Sequence, residues 1–287
     1  MALAGWTTYY FTASEAMLLD GNFSMISVVA SVIALVISKR KHEKTLTFPF
    51  GSYVFESLFV FAKGLLILGV IFVAGVQNVI KIIDFINGVK FEPVKIDFIL
   101  YYVAFITMLS FALFLYFKSM NKRVDFKSSI LKIETQSALV DGALSIGIGI
   151  VFMLILFIPE NSPLEFMTSI GDAIIVLIIC LLFISMPIKI IKDSFIELGG
   201  GVLQDNSAKQ FIEKAIEEML PPSLIKQSSY ISKLGSSYFI AVFVSSKSNA
   251  IELDKVEAFR KDALNLLGPK FQNVKIEVIV RGNNSTF

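Results

Sequence analysis

Residues 17–38 read MLLDGNFSMISVVASVIALVIS, and Asp20 is the only charged residue among them. A run of about 20 residues with so few charges predicts a helix that spans a membrane. Four more blocks of this kind follow at 53–80, 96–117, 130–158 and 167–191. The residues before this run are mildly apolar and lack Lys and Arg, so we interpret them as the end of one further helix and not as a secretory signal. The sequence therefore predicts an α-helical integral membrane domain with five complete spans plus a partial N-terminal one.

The composition supports a membrane protein and excludes several classes of site. Hydrophobic residues make up 55% of the 287 residues, which exceeds the usual content of a soluble domain. The net charge of +2 is too small to indicate a nucleic-acid partner. The single Cys, Cys180, lies inside a span, so one chain can form neither a disulfide framework nor a thiolate metal site. With one His, His42, and no Gly-rich phosphate loop, the sequence does not indicate an enzyme.

Basic residues in the loops predict the orientation of the chain. Basic residues lie after the first complete span, between the third and fourth spans, and at the end of the last span: Lys39, Arg40, Lys41, Lys44, Lys118, Lys122, Arg123, Lys127, Lys189 and Lys192. The intervening loops at 84–95 and 159–165 carry two Lys and none. By the positive-inside rule, the basic loops and the C-terminal region are cytoplasmic. The short loops and the compact size favour a bacterial inner membrane.

The composition changes after Gly199-Gly-Gly201, which divides the chain into a membrane domain at 1–199 and a soluble domain at 200–287. In the soluble part we predict a helix at 207–219, strands at 230–234 and 237–245 around the turn Gly235-Ser236, a helix at 252–267 and a strand at 274–281. The order αββαβ indicates a small two-layer α+β domain. Such a short domain has a marginal core, so we expect dimerisation to help it.

Two carboxylates inside predicted spans define the candidate site. Ionisable residues within a membrane are costly and normally serve a function. Asp20 and Ser24 are four residues apart and share one helix face, and so do Ser137 and Asp141. Because the predicted topology makes the two helices antiparallel, the four oxygen-bearing side chains can meet at one level. Two of the four are anionic, so the pattern predicts a site for a cation.

Further polar residues near the two carboxylates are candidate auxiliaries of the site: Asn22, Gln136 and Ser145. Lys63 lies near the middle of a span and must either pair with an acid or face water. It can neutralise Asp20 or Asp141 when no metal is bound, or it can pair with Glu56.

Two other acids lie in or near spans: we place Glu134 at the cytoplasmic mouth and Asp172 at the outer end of its helix. An alternative to a cation site also stays open. Asp20 would then cap a helix at the membrane edge, and Asp141 would pair with a Lys.

Three local motifs, in this order and spacing, resemble those of the cation diffusion facilitators. They are Ser14-Glu-Ala-Met-Leu-Leu-Asp20, Phe50-Gly-Ser-Tyr-Val-Phe-Glu56, and Asp141 followed by Ser145. The resemblance covers nearly the whole chain and extends to the αββαβ tail. It implies a metal exporter with six membrane helices, a ferredoxin-like cytoplasmic domain, a homodimer formed through that domain, and protons as the counter-ion.

The chain departs from the family at the ligands themselves. The family usually places Asp or His four residues from a second Asp on its second and fifth helices, whereas this chain has Ser24 and Ser137 at one position of each pair. Phe48 and Ser52 occupy positions where the family has His. Carboxylates, hydroxyls and water are hard ligands, which suit Mn²⁺ or Mg²⁺, and also Fe²⁺, better than Zn²⁺. The weaker ligands leave a second class of function open, a non-transporting scaffold or regulatory protein of the same fold.

Overall fold

The computed structural model describes the chain at 1–91, 96–123, 129–158, 166–246, 252–271 and 273–281, with the exception of the side chains at 96–97, 129–134, 136–137, 140 and 144. The contacts form two compact units. The first unit comprises Met1–Ile33 and Lys63–Lys189, and the second comprises Ala34–Ala62 and Ile190–Phe287. The domain boundary after residue 199 stays a prediction from composition.

The described chain has seven helices before residue 199: α1 Ala2–Thr12, α2 Glu15–Arg40, α3 Val54–Ile86, α4 Ile96–Arg123, α5 Ser129–Leu156, α6 Phe166–Phe183 and α7 Ser185–Leu198. The break between α6 and α7 precedes Pro187, which has no N–H to donate to the carbonyl four residues earlier. The short helix α1 lies in the stretch that the sequence predicts to be the end of a helix.

Four helical segments are long and apolar enough to cross a membrane: Glu15–Arg40, Val54–Ile86, Phe98–Arg123 and Phe166–Leu198. They correspond to four of the five predicted spans. Helix α5 contains a shorter apolar segment, Asp141–Leu156, so the fifth complete span stays a prediction. The loop at 159–165, Lys95 and Lys127 lie outside the described residues.

Packing in the first unit brings α4 close to α5. A Cβ atom on Gly149 would lie 2.6 Å from Cγ1 of Val103, and one on Gly142 would lie 3.3 Å from Cβ of Ser110. The buried core of this unit includes Ile99, Ile106, Ile148, Phe152 and Val176. Many large apolar side chains on the helices of this unit are exposed, among them Phe72, Met108 and Leu181. Exposed apolar side chains of this kind are expected where a protein faces lipid.

The tail of the second unit has the predicted order αββαβ: α8 Asn206–Met219, β1 Leu224–Leu234, β2 Ser237–Ser246, α9 Leu253–Leu267 and β3 Val274–Val280. Strand β2 is central, antiparallel to β1 and parallel to β3. Both helices share one buried core with the sheet, which includes Ile212, Ile240 and Phe259. The side chain of Asp205 accepts hydrogen bonds from the backbone N–H groups of Ser207 and Ala208 and so caps α8. The ferredoxin-like classification stays a prediction.

The predicted hairpin is present, but its first strand is longer than the sequence indicates. Leu234 pairs with Ser237 across the two-residue turn, as expected. Strand β1 begins at Leu224 and not at 230, because it pairs with β2 along almost its whole length. The added segment is polar and irregular, with a register shift between Lys226 and Ser228. Backbone pairing to an apolar neighbour therefore outweighs its weak strand pattern.

Candidate functional site

Asp20 lies in the second turn of α2, and its carboxylate is held by a residue from α4. The hydroxyl of Tyr102 donates a hydrogen bond to Oδ2 of Asp20. Tyr102 is only 6% exposed, whereas Asp20 is half-buried. Ser24 follows Asp20 by one turn of the same helix and is also half-buried. The sequence predicted the acid, but it gave no signal for its partner.

The predicted auxiliary Asn22 faces α1. Its Oδ1 accepts a hydrogen bond of 3.1 Å from Nε1 of Trp6. The neighbouring Gly21 is in the same crossing, since a Cβ atom there would lie 2.7 Å from Cδ1 of Trp6. The structure therefore gives Asn22 a contact between helices that the sequence did not predict.

The second half of the predicted site lies on α5. Asp141 is half-buried, and Ser145, one turn later, is 2% exposed. The side chains of Ser137, Gln136 and Glu134 lie outside the described residues.

Both halves of the predicted site contact helix α4, so the separation of the two contacts along this helix can be compared. Asp20 meets it at Tyr102, and Gly142, next to Asp141, meets it at Ser110. These two positions on α4 are separated by about 12 Å along the helix axis, given a rise of about 1.5 Å per residue. In the part of the chain that is described, no group of three or more His, Cys, Asp or Glu side chains could hold a metal. These contacts with α4 do not place Asp20 and Asp141 at one level, as the sequence predicts, so the joint cation site stays a prediction that depends on hydroxyl ligands as well as on acids.

The first turn of α2 is capped by Asp172, and not by Asp20 as the alternative interpretation would have it. Asp172 is 1% exposed and lies on α6. Its carboxylate accepts hydrogen bonds from Oγ of Ser14 at 2.9 Å and from the backbone N–H groups of Glu15 and Ala16 at 2.5 and 3.2 Å. The first N–H groups of a helix have no acceptor within the helix, and here the carboxylate of Asp172 is the acceptor. Asp20 is thus not needed as a cap.

Glu56 forms an ion pair that no sequence pattern predicted. Its Oε1 lies 3.0 Å from Nζ of Lys41, which directly follows α2. The ion pairs among the described residues do not include Lys63, so its neutralisation of Asp20 or Asp141 and its pairing with Glu56 both stay predictions. Nδ1 of His42 lies 2.8 Å from the hydroxyl oxygen of Tyr53.

The same Glu56 anchors the turn of the β1–β2 hairpin. Its Oε2 accepts hydrogen bonds of 2.7 Å from both the backbone N–H and the hydroxyl of Ser236. The ammonium of Lys41 donates to the same hydroxyl at 2.9 Å. Gly235 has a φ of +58°, and a Cβ atom there would lie 2.5 Å from Oε2 of Glu56. Only glycine combines that backbone conformation with so close an approach.

A second set of contacts supports the same turn. Oγ of Ser57 accepts a hydrogen bond of 2.8 Å from the N–H of Gly235 and donates one of 2.7 Å to Oε2 of Glu197. Oε1 of Glu197 lies 3.4 Å from Nζ of Lys233. We name the group Lys41, Glu56, Ser57, Glu197, Lys233, Gly235 and Ser236 the turn cluster. Its two chains of charge-assisted hydrogen bonds fix the N-terminal end of α3 against the hairpin.

Comparison with known proteins agrees with the motifs. A family model described as the cation efflux transmembrane domain matches residues 1–198. A search of curated proteins returned no match to the chain. The family match covers more than half of the sequence and includes every residue of the predicted cation site. The chain therefore belongs to the cation efflux family, whose members are membrane transporters of metal cations.

Proposed function

We propose that this protein exports a hard divalent cation, Mn²⁺ or Mg²⁺, with Fe²⁺ as a third candidate. The observation that carries the proposal is Asp20, a carboxylate inside a membrane-capable helix, held by a hydrogen bond from another helix. Membership of the family supports metal transport. The oxygen ligands support the choice of cation, because Zn²⁺ favours His and Cys.

Asp20 and Asp141 are the anionic ligands of the proposed site, and Ser24 and Ser137 supply hydroxyl oxygens. A carboxylate can hold either a metal ion or a proton, so protons can replace the cation as it leaves. Hydroxyl oxygens bind metal ions weakly, and weak binding suits a transporter that must release its ion. Alternating access would come from rocking of the helices around the site. The homodimer, formed through the soluble domain, and the bacterial inner membrane belong to the same proposal.

The test is cation flux in proteoliposomes that contain the full chain. Mn²⁺, Mg²⁺, Fe²⁺ and Zn²⁺ are supplied one at a time, with and without a pH gradient. We expect flux of a hard cation that the pH gradient drives, and a loss of at least tenfold in Asp20→Asn and in Asp141→Asn. Asp262→Asn is the matched control, because Asp262 is exposed on α9 and the chemical change is the same.

Two outcomes would contradict the proposal. Full activity in both single variants would exclude the two acids as ligands. No flux of any cation through the folded wild-type protein would favour the alternative function, a scaffold or regulatory protein of the same fold.

A further inference from the structure

The contact between α4 and Asp20 involves a residue outside both helices of the predicted site. Tyr102 is buried, and its hydroxyl donates to Oδ2 of Asp20. Its neighbour Tyr101 is 79% exposed on the same helix. The two tyrosines therefore offer the same chemical group in opposite surroundings, one against a ligand of the proposed site and one at the surface that lipid would cover.

A hydrogen bond to one oxygen of a carboxylate fixes the group and leaves the other oxygen available. An ionised carboxylate has about four lone-pair sites, and a phenol donor uses one of them. Residues that hydrogen-bond to metal ligands orient them, and their loss typically costs about 10–100-fold in metal affinity or activity. Orientation matters all the more where the remaining ligands are hydroxyls.

We propose that Tyr102 is a positioning residue for cation binding, which holds Asp20 so that only Oδ1 faces the ion. This inference rests on the proposed function. A carboxylate held in this way binds through one oxygen, which suits small cations with octahedral geometry. Ca²⁺ is larger and commonly takes both oxygens of a carboxylate. Tyr102 thus favours Mn²⁺ and Mg²⁺ over Ca²⁺.

The experiment compares wild type, Tyr102→Phe and Tyr101→Phe as full-length proteins. Mn²⁺ affinity is measured in detergent from the rise of the unfolding temperature with Mn²⁺ concentration. Flux of Mn²⁺ and Ca²⁺ into proteoliposomes gives KM and Vmax for each ion. For Tyr102→Phe we expect the KM for Mn²⁺ to rise about 10–100-fold. The Vmax should change less, and the preference for Mn²⁺ over Ca²⁺ should narrow. Tyr101→Phe should match wild type.

A purely structural role for Tyr102 gives a different result. Tyr102→Phe would then unfold at a lower temperature without cation, but would keep the wild-type Mn²⁺ affinity and ion preference, which overturns the inference. Tyr102→His is the second variant, because its ring N–H can replace the donor; we expect it to recover part of the Mn²⁺ affinity. If wild type moves and binds no cation, the proposed function fails and the inference falls with it. If wild type transports and Tyr102→Phe matches it, only the inference fails.

Discussion

Gly21 shows how one residue sets the distance between two helices. A Cβ atom on Gly5 of α1 would lie 2.7 Å from Cα of Gly21, so the two backbones are in direct contact at this crossing. The ring of Trp6, the next residue of α1, also packs against Gly21, and its Nε1 donates a hydrogen bond to Asn22. The glycine next to Asp20 is therefore required by packing, and the short helix α1 is part of the surroundings of the proposed site.

Substitution of Gly21 by Ala should separate α1 from α2. The added methyl group has no room beside Trp6, and overpacking of this kind typically costs about 1–3 kcal/mol. We expect Gly21→Ala to lower the unfolding temperature in detergent and to reduce transport. Gly75→Ala in α3 is the matched control, since a Cβ atom there would meet nothing within 4 Å. Equal unfolding temperatures for the two variants would show that the crossing tolerates a side chain.

Single residues were predictable from the sequence where their own chemistry is unusual. An acid in an apolar run identifies Asp20 without any knowledge of its neighbours. Its partner Tyr102 and the cap Asp172 are ordinary residues for their helices, and the contacts that define them span 82 and 158 positions of sequence. Only tertiary packing brings such residues together. For the same reason, the pairing of Glu56 with Lys41 was missed.

At the scale of elements, the turn cluster shows what the motif at Phe50–Glu56 does in the structure: it holds the start of α3 against the tail. Glu56 lies in the first turn of α3 and accepts hydrogen bonds from the backbone N–H and the hydroxyl of Ser236. Lys275 of β3 reaches the same segment, with Nζ 2.8 Å from the carbonyl oxygen of Phe50 and 4.3 Å from the centre of its ring. Burial, together with nearby Lys44, lowers the pKa of Lys275. Two parts of the αββαβ tail, the hairpin turn and β3, therefore contact the stretch that leads into α3.

Substitution of Glu56 by Gln should release the hairpin turn. Gln keeps the size of the side chain but loses the charge, so it cannot satisfy both Lys41 and Ser236. Leaving buried partners unsatisfied costs about 1–3 kcal/mol, which corresponds to roughly 5–150-fold more frequent local opening. We expect hydrogen exchange at the amides of Gly235 and Ser236 to accelerate by this factor, while α9 keeps its protection.

The matched control for this experiment is Glu277→Gln, since Glu277 is exposed on β3 of the same sheet. It removes the same charge without touching the turn cluster. Unchanged protection at the turn in Glu56→Gln would mean that the backbone contacts of the hairpin suffice. Faster exchange throughout the sheet in both variants would point to a general loss of stability and not to the turn.

Elements with strong local signals were predicted well from the sequence. The turn Gly235-Ser236 and the periodic helices of the tail lie where the pattern placed them. The first half of β1 was missed, because its polar residues have no strand pattern and depend on pairing with β2. The predicted span at 130–158 includes side chains outside the described residues, so its full length stays a prediction.

The orientation of the whole molecule follows from charge, which sequence alone supplies. Loops at one end of the predicted spans carry clusters of Lys and Arg, and those at the other end carry few. Length and composition identify four segments of the described chain that can cross a membrane, and loop charge is what predicts the side on which each end lies. The cytoplasmic position of the tail is thus a prediction from loop charge.

Single cysteines can test this orientation in whole cells, because Cys180 is the one native cysteine and is buried. In a Cys180→Ala background, Asn87→Cys places a thiol in the exposed turn after α3, and Asp262→Cys places one on the exposed side of α9. A maleimide that cannot cross the membrane should label the first variant in intact cells, and the second only after permeabilisation. Labelling of Asp262→Cys in intact cells would reverse the assignment. The basic loops would then face outward, and the proposed export would become uptake, because the same transport direction through the protein would run into the cell.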